Sequence, residues 1–197
     1  MMFPKRITKE ELNTFPLRHY EGKIVLAYDY ETINNAMGEI GRYEIVGFDT
    51  ESKPTFKKGE ERHIGLIQIA TDDKVFLIRT HEVGMPDCVL DFLENKAIQK
   101  IGIGLADDFQ LMNKLRPTGF QNFIDLNNLM PELGAESIGA RNLAAMILEF
   151  RISKSAQTSN WEAKVLSLKQ KTYAATDAWI CLEIYRKLQA WGYVSES

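Results

Sequence analysis

The chain has 197 residues, 45% of them hydrophobic and 26% charged, with a formal net charge of −3. That length and balance describe one folded domain with ample core, and they exclude a disordered tail or a protein that holds polyanions through overall positive charge. Cys88 and Cys181 lie far apart and in no metal-ligand spacing, which argues against zinc or a disulfide framework and fits a reducing compartment. Residues 1–20 have no apolar core like that of a signal peptide, and no stretch approaches a membrane span, so the expectation is a soluble, cytoplasmic chain.

Residues 1–21 are polar and punctuated by Pro4 and Pro16, with one helical turn expected at 8–12; they read as an extension to a single domain whose core is 22–190. Residues 23–28 form a first strand. Asp29 then caps a helix running toward Met37, stopped by Gly38 and Gly41. Residues 43–50 form a second strand. The loop 53–62 mixes Lys53, Lys57, Lys58 and Arg62 with Glu60 and Glu61; it is a solvated loop or a phosphate contact. Residues 64–71 and 74–79 are near-continuous apolar runs about the turn Asp72-Asp73, a hairpin in a sheet covered on both faces.

After Pro86, apolar residues at helical spacing (Val89, Leu90, Phe92, Leu93) lead to a helix end at Asn95 and Lys96, then to a strand at 98–103. Gly102 and Gly104 turn the chain into a helix striped by Leu105, Phe109, Met112 and Leu115 and closed by Pro117. Phe123 and Ile124 form a last short strand, Asp125 caps the short helix after it, and 138–150 is helical. Residues 151–171 are the most basic segment, with Arg151, Lys154, Lys164, Lys169 and Lys171 against Glu162 alone. Ser167-Leu168-Lys169-Gln170 is a capping box that launches a long helix to about Ala190. Strands first, then strands alternating with helices, describe an α/β layer fold.

Three acidic stretches carry the chemistry. In Val46-Gly47-Phe48-Asp49-Thr50-Glu51, alternation along a strand puts Asp49 and Glu51 on one face at its end. Two such carboxylates repel unless a cation sits between them, and hard oxygen ligands suit Mg²⁺ or Mn²⁺. In Gly102-Ile103-Gly104-Leu105-Ala106-Asp107-Asp108, an acid falls in the first turn of a helix, where it is either a dipole partner or a ligand. In Tyr173-Ala174-Ala175-Thr176-Asp177, the i and i+4 positions share a helical face that continues into Ile180, Ile184 and Leu188 and so looks inward. An acid on an inward stripe is costly unless paired or metal-bound. His19, His63 and His81 match no ligand spacing, and the methionines read as core filling.

Taken in this order, and with Ser159-Asn160-Trp161 before the third, these motifs resemble the DEDDy branch of 3′–5′ exonucleases, the group that includes the ribonuclease D catalytic domain and the Werner syndrome exonuclease domain. The resemblance runs from about Lys23 to Leu188 and rests on the three motifs together; tyrosine rather than histidine at 173 assigns the branch. It implies a ribonuclease H-like α/β fold, a central mixed five- to six-stranded sheet flanked by helices on both faces. It implies that Asp49, Glu51, Asp108 and Asp177 hold two divalent metal ions (Mg²⁺ or Mn²⁺) about 3.5–4 Å apart. Family spacing favours Asp108 over the adjacent Asp107. Because an ordinary phenol titrates at about pH 10, Tyr173 is expected to aim the attacking water rather than deprotonate it.

The substrate implied is a single-stranded or frayed 3′ end of DNA or RNA, and the products are nucleoside 5′-monophosphates. The 151–171 segment is the candidate strand contact, with Trp161 either a stacking platform or buried packing. A catalytically silent nucleic-acid or protein-binding module on the same fold is the alternative; the Tyr173/Asp177 helix speaks against a ribonuclease H-type endonuclease. The relatives' additional helical or helicase domains have no room here, so the expectation is a free-standing nuclease that binds weakly and distributively.

Overall fold

The computed structural model describes residues 2–54 and 62–195; the part of the 53–62 loop that carries Lys57, Lys58, Glu60 and Glu61 lies outside the described residues. In chain order the elements are α1 (Lys9–Thr14), β1 (Lys23–Ala27), α2 (Tyr30–Ile40), β2 (Ile45–Ser52), β3 (Ile64–Ala70), β4 (Lys74–Ile78), α3 (Thr80–Val83) and α4 (Asp87–Glu94). They continue with β5 (Gln99–Gly102), α5 (Ala106–Leu115), β6 (Phe123–Asp125), α6 (Leu126–Glu132), α7 (Ala140–Leu148) and α8 (Leu168–Ala190). The strands form one six-stranded mixed sheet in the order β1-β4-β3-β2-β5-β6, in which β3 alone runs antiparallel to its neighbours.

Helices cover both faces, as the apolar runs of the strands require. Val46 and Phe48 point to the side of α2, α4 and α5, where they pack with Ile33, Ile40, Val89, Leu93 and Met112. Alternation sends Ile45 the other way, into a cluster with Ile147, Ile180 and Ile184 of α7 and α8. Leu66, Ala70, Val75 and Leu77 meet Ala174, Ala175 and Ala178 on that same face.

The close seat of α8 has a local cause. A Cβ on Gly47 would stand 2.1 Å from the Ala178 carbonyl oxygen, so only glycine lets the helix lie this near to β2. Ala174, Ala175 and Ala178, each fully buried, supply the matching flat surface on the helix. At its start, Ser167 accepts from the Gln170 amide while the Gln170 side chain accepts from the Ser167 amide, the expected capping box.

Several boundaries differ from expectation. Gly38 lies inside α2, which runs on to Ile40; a mid-helix glycine costs roughly 1 kcal/mol, and the burial of Ile33, Met37 and Ile40 outweighs it. Helix α7 starts at Ala140 rather than Ile138, because Gly139 has φ +87°, outside helical space. Leu115 ends the α5 stripe exposed rather than in the core. The N-terminal segment is packed against the body: Phe3 is buried and contacts Trp191 and Tyr193, and Arg18 donates to the Arg151 carbonyl.

Candidate active site

β2 and α8 bring the first and third acidic stretches together. Asp49 and Glu51 leave the end of β2 on the face that α8 covers, and Asp177 comes down from α8 one residue before Ala178, the residue seated on Gly47. One carboxylate oxygen from each of Asp49, Glu51 and Asp177 lies within 4.8 Å of the other two. Glu51 and Asp177 are buried, and Asp49 is half-buried at the floor of a 730 Å³ cleft. The register of β2 against β3 shifts after Glu51, a bulge that ends regular pairing where the acids emerge.

Asp108 reaches the same cleft from the other side of β2. Thr50, between the two acids, faces away from them and donates to Asp108 at 2.5 Å. Asp108 therefore lines the cleft without joining the three-carboxylate cluster, whereas Asp107 is exposed and lines none of it. The turn that launches α5 is held by Asp125, which accepts from the amides of Gly104 and Leu105 and also caps α6 through the Asn127 amide. Gly104 sits at φ +76°, where a side chain would be strained. Asp125 is a cap, as expected, and spends its oxygens on three backbone donors.

Burial and mutual repulsion make the carboxylates reluctant to ionise. Burial, then Asp177 and Asp108, hold Asp49 well above the usual carboxylate range. Burial, then Asp49 and Asp177, push Glu51 up to about 10. Burial raises Asp177 to about 7 against the opposing pull of Tyr173 and Lys154, and raises Asp108 to about 6 against its bond from Thr50. The Tyr173 phenol is raised by burial and then by Asp177 and Glu51, so it stays neutral. This donor set (oxygen only, crowded, and short of positive charge) has the chemistry of a divalent-cation site.

The cleft walls carry Arg62 and Lys154, from the two basic stretches noted in the sequence, and, beginning with Arg141, groups that the sequence did not single out. Arg62, Arg141 and Lys154 line it with Asn127, Asn142 and Gln157. Arg141 enters through the first turn of α7, which has no side-chain cap; no local pattern in the sequence marks its entry. Gln68 is a further miss: it lies on β3 directly opposite Asp49 and is fully buried.

The basic 151–171 segment divides. Trp161 is fully buried, 6.0 Å from the Tyr173 ring and tight against Gly65, so it is packing and no stacking platform. Arg151 turns its Nε to the Phe15 carbonyl and its backbone to Pro16 and Arg18. Arg79 from β4's end ties the segment down by donating to the carbonyls of Ala163 and Lys164. Of the segment's cations, Lys154 alone lines the cleft.

A mixed sheet with one antiparallel strand, covered by helices on both faces, is a ribonuclease H-like fold, and here it carries a carboxylate cluster between its second strand and its last helix. Residues 18–191 match the family model described as 3′–5′ exonuclease, and the chain belongs to that family. Among similar proteins, the bifunctional 3′–5′ exonuclease/ATP-dependent helicase WRN of Mus musculus is 29% identical over 186 residues, covering 89% of this chain and 13% of its own. The chain spans about half or less of the other curated relatives it matches. The fold matches the Aedes aegypti Nibbler EXO domain, with TM-score 0.77, 24% identity, and 89% and 91% of the two chains covered. It also matches Escherichia coli RNase D, with TM-score 0.75, 19% identity, and 89% and 47% covered.

Proposed function

We propose that this chain is a metal-dependent 3′–5′ exonuclease that shortens nucleic-acid 3′ ends and releases nucleoside 5′-monophosphates. The supporting observation is the cluster of Asp49, Glu51 and Asp177, with ligand oxygens within 4.8 Å of one another. Three carboxylates cannot all ionise at that separation without a cation. Asp49, Glu51, Asp108 and Asp177 would hold two divalent ions, Mg²⁺ or Mn²⁺. Bound there, such ions supply charge stabilisation for a phosphodiester and water acidic enough to attack near neutrality.

The chain's own groups divide the remaining work. Tyr173, kept neutral by burial and by its acidic neighbours, accepts or donates a hydrogen bond to the attacking water and aims it. The water oxygen bonds to phosphorus as the P–O3′ bond breaks, which leaves the phosphate on the 5′ carbon of the released nucleotide. Lys154, Arg62 and Arg141 on the cleft walls face the phosphodiester with positive charge. The uncapped amides at the start of α7 add a partial positive charge to the same wall.

The test uses 5′-labelled single-stranded DNA and the matching RNA, with Mg²⁺ or Mn²⁺ and with chelator, beside Asp177→Asn. A one-nucleotide ladder from the 3′ end, lost with chelator and in the variant, supports the reading and shows which sugar is preferred. If folded wild-type protein cleaves neither strand, the reading falls and a silent binding module takes its place.

A further inference from the structure

β3 is buried along its whole length, and Gln68 is its single polar side chain. Gln68 is 0% exposed, yet neither its amide nitrogen nor its amide oxygen has a hydrogen-bond partner among the described residues. A buried polar group left unsatisfied is destabilising, and Leu or Met would fill such a site without that penalty. An orphaned amide in the middle of a sheet therefore calls for a working state in which it is bonded.

The register identifies its partner. Gln68 stands directly across from Asp49, just as Leu66 stands across from Glu51 and Ala70 across from Gly47. All of these side chains point to the face covered by α8, where Leu66 and Ala70 pack on Ala174, Ala175 and Ala178. Opposite residues on neighbouring antiparallel strands have Cβ atoms about 4.5–5.5 Å apart, within reach of a glutamine's two methylenes. On its other side Gln68 is paired with Leu77, which offers no polar side-chain atom. Asp49 has a matching need. A carboxylate offers about four lone-pair directions, a metal uses one or two, and the donor it already has is the Thr50 amide.

Resting on the exonuclease reading, we propose that Gln68 is a positioning residue: its amide N–H donates to the Asp49 oxygen turned away from the cleft when divalent metal occupies the cluster. The bond fixes the rotamer of Asp49 and thereby the direction in which its other oxygen is presented. Partners of this kind behind metal ligands are worth about 10–100-fold in metal affinity or activity.

The experiment is Gln68→Met, which keeps the volume and removes the donor, with Mn²⁺ binding followed by the electron paramagnetic resonance signal of free Mn²⁺. The expected result is a dissociation constant for Mn²⁺ raised about tenfold or more, with the melting temperature of the metal-free protein unchanged or higher. The KM for a single strand stays the same, and the fall in kcat at low Mn²⁺ is recovered at high Mn²⁺. An Mn²⁺ affinity equal to that of the wild type overturns the proposal. Should Gln68→Met not fold, the wild type decides: saturating Mg²⁺ shifts the Gln68 side-chain NH₂ resonances and slows their exchange, or it leaves them unmoved and the proposal fails. A wild type that binds no Mn²⁺ sinks the metal-site reading itself; a wild type that binds, with Gln68→Met indistinguishable from it, sinks the role of Gln68 alone.

Discussion

The carboxylate cluster and the basic 151–171 segment answer differently to the same sequence logic. The acids sit on β2 and α8, where the backbone period dictates which side chains share a face. Asp49 and Glu51 at alternate strand positions, and Tyr173 and Asp177 one helical turn apart, therefore meet as their spacing requires. Before α8 begins at Leu168, the basic segment has no period. Its backbone is pinned by Arg79, Pro16 and the Asn160–Gln170 bond, and those anchors turn Trp161 inward and spend Arg151 on carbonyls. Charge density in irregular chain shows what is available, and the anchoring decides what is presented.

The sharpest way to break this contrast is Asp177→Asn. Losing one member of the cluster is expected to cost ~10³-fold or more in single-turnover cleavage, about 4 kcal/mol of transition-state stabilisation. The metal-free fold should be no less stable, since the change removes one of three crowded acids. Near-wild-type cleavage would remove Asp177 from the machinery. Trp161→Ala is next. As packing, it should lose about 3–5 kcal/mol of stability in denaturant titration, with strand affinity little changed at temperatures where the variant is folded. Intact stability with weakened strand binding would restore the stacking role.

A smaller effect lies in the pH dependence of the metal-free protein. Asp177 at about 7 and Glu51 at about 10 keep protons in the fold that the unfolded chain releases; unfolded carboxylates titrate at about 4. The native state then binds more protons, so stability falls as pH rises from about 4 through 7 and beyond. Thermal melts in chelator between about pH 5 and 8 should show the decline. Mg²⁺ at a hundredfold excess over its Kd should return ~2.7 kcal/mol, a rise of about 5–10 °C at a pH where the acids would otherwise repel. Melts that respond neither to pH nor to metal would contradict the electrostatic account. The smallest effect is expected for Lys154→Ala, an exposed side chain on the cleft wall. It should lower strand affinity a few-fold and reduce the salt slope by about 0.7, with stability within ~0.5 kcal/mol of wild type.

Sequence alone determined the strands, the long capped helix and the acids of the site, because alternation, helical spacing and capping boxes are local rules written into neighbouring residues. It could place Asp49, Glu51, Tyr173 and Asp177 on faces, and the Gly-x-Gly turn before Asp108 on a helix start. It could not show that Gly47 is bare so that Ala178 can lie on it, that Thr50 turns from its acidic neighbours to hold Asp108, or that Gln68 stands across from Asp49. Nor could it show that Trp161 is swallowed by Gly65 and Tyr173, or that Arg141 enters the cleft through the start of α7. Each of these depends on residues far apart in the chain meeting across the sheet. Strand order and register, which follow from burying whole faces at once, decided them.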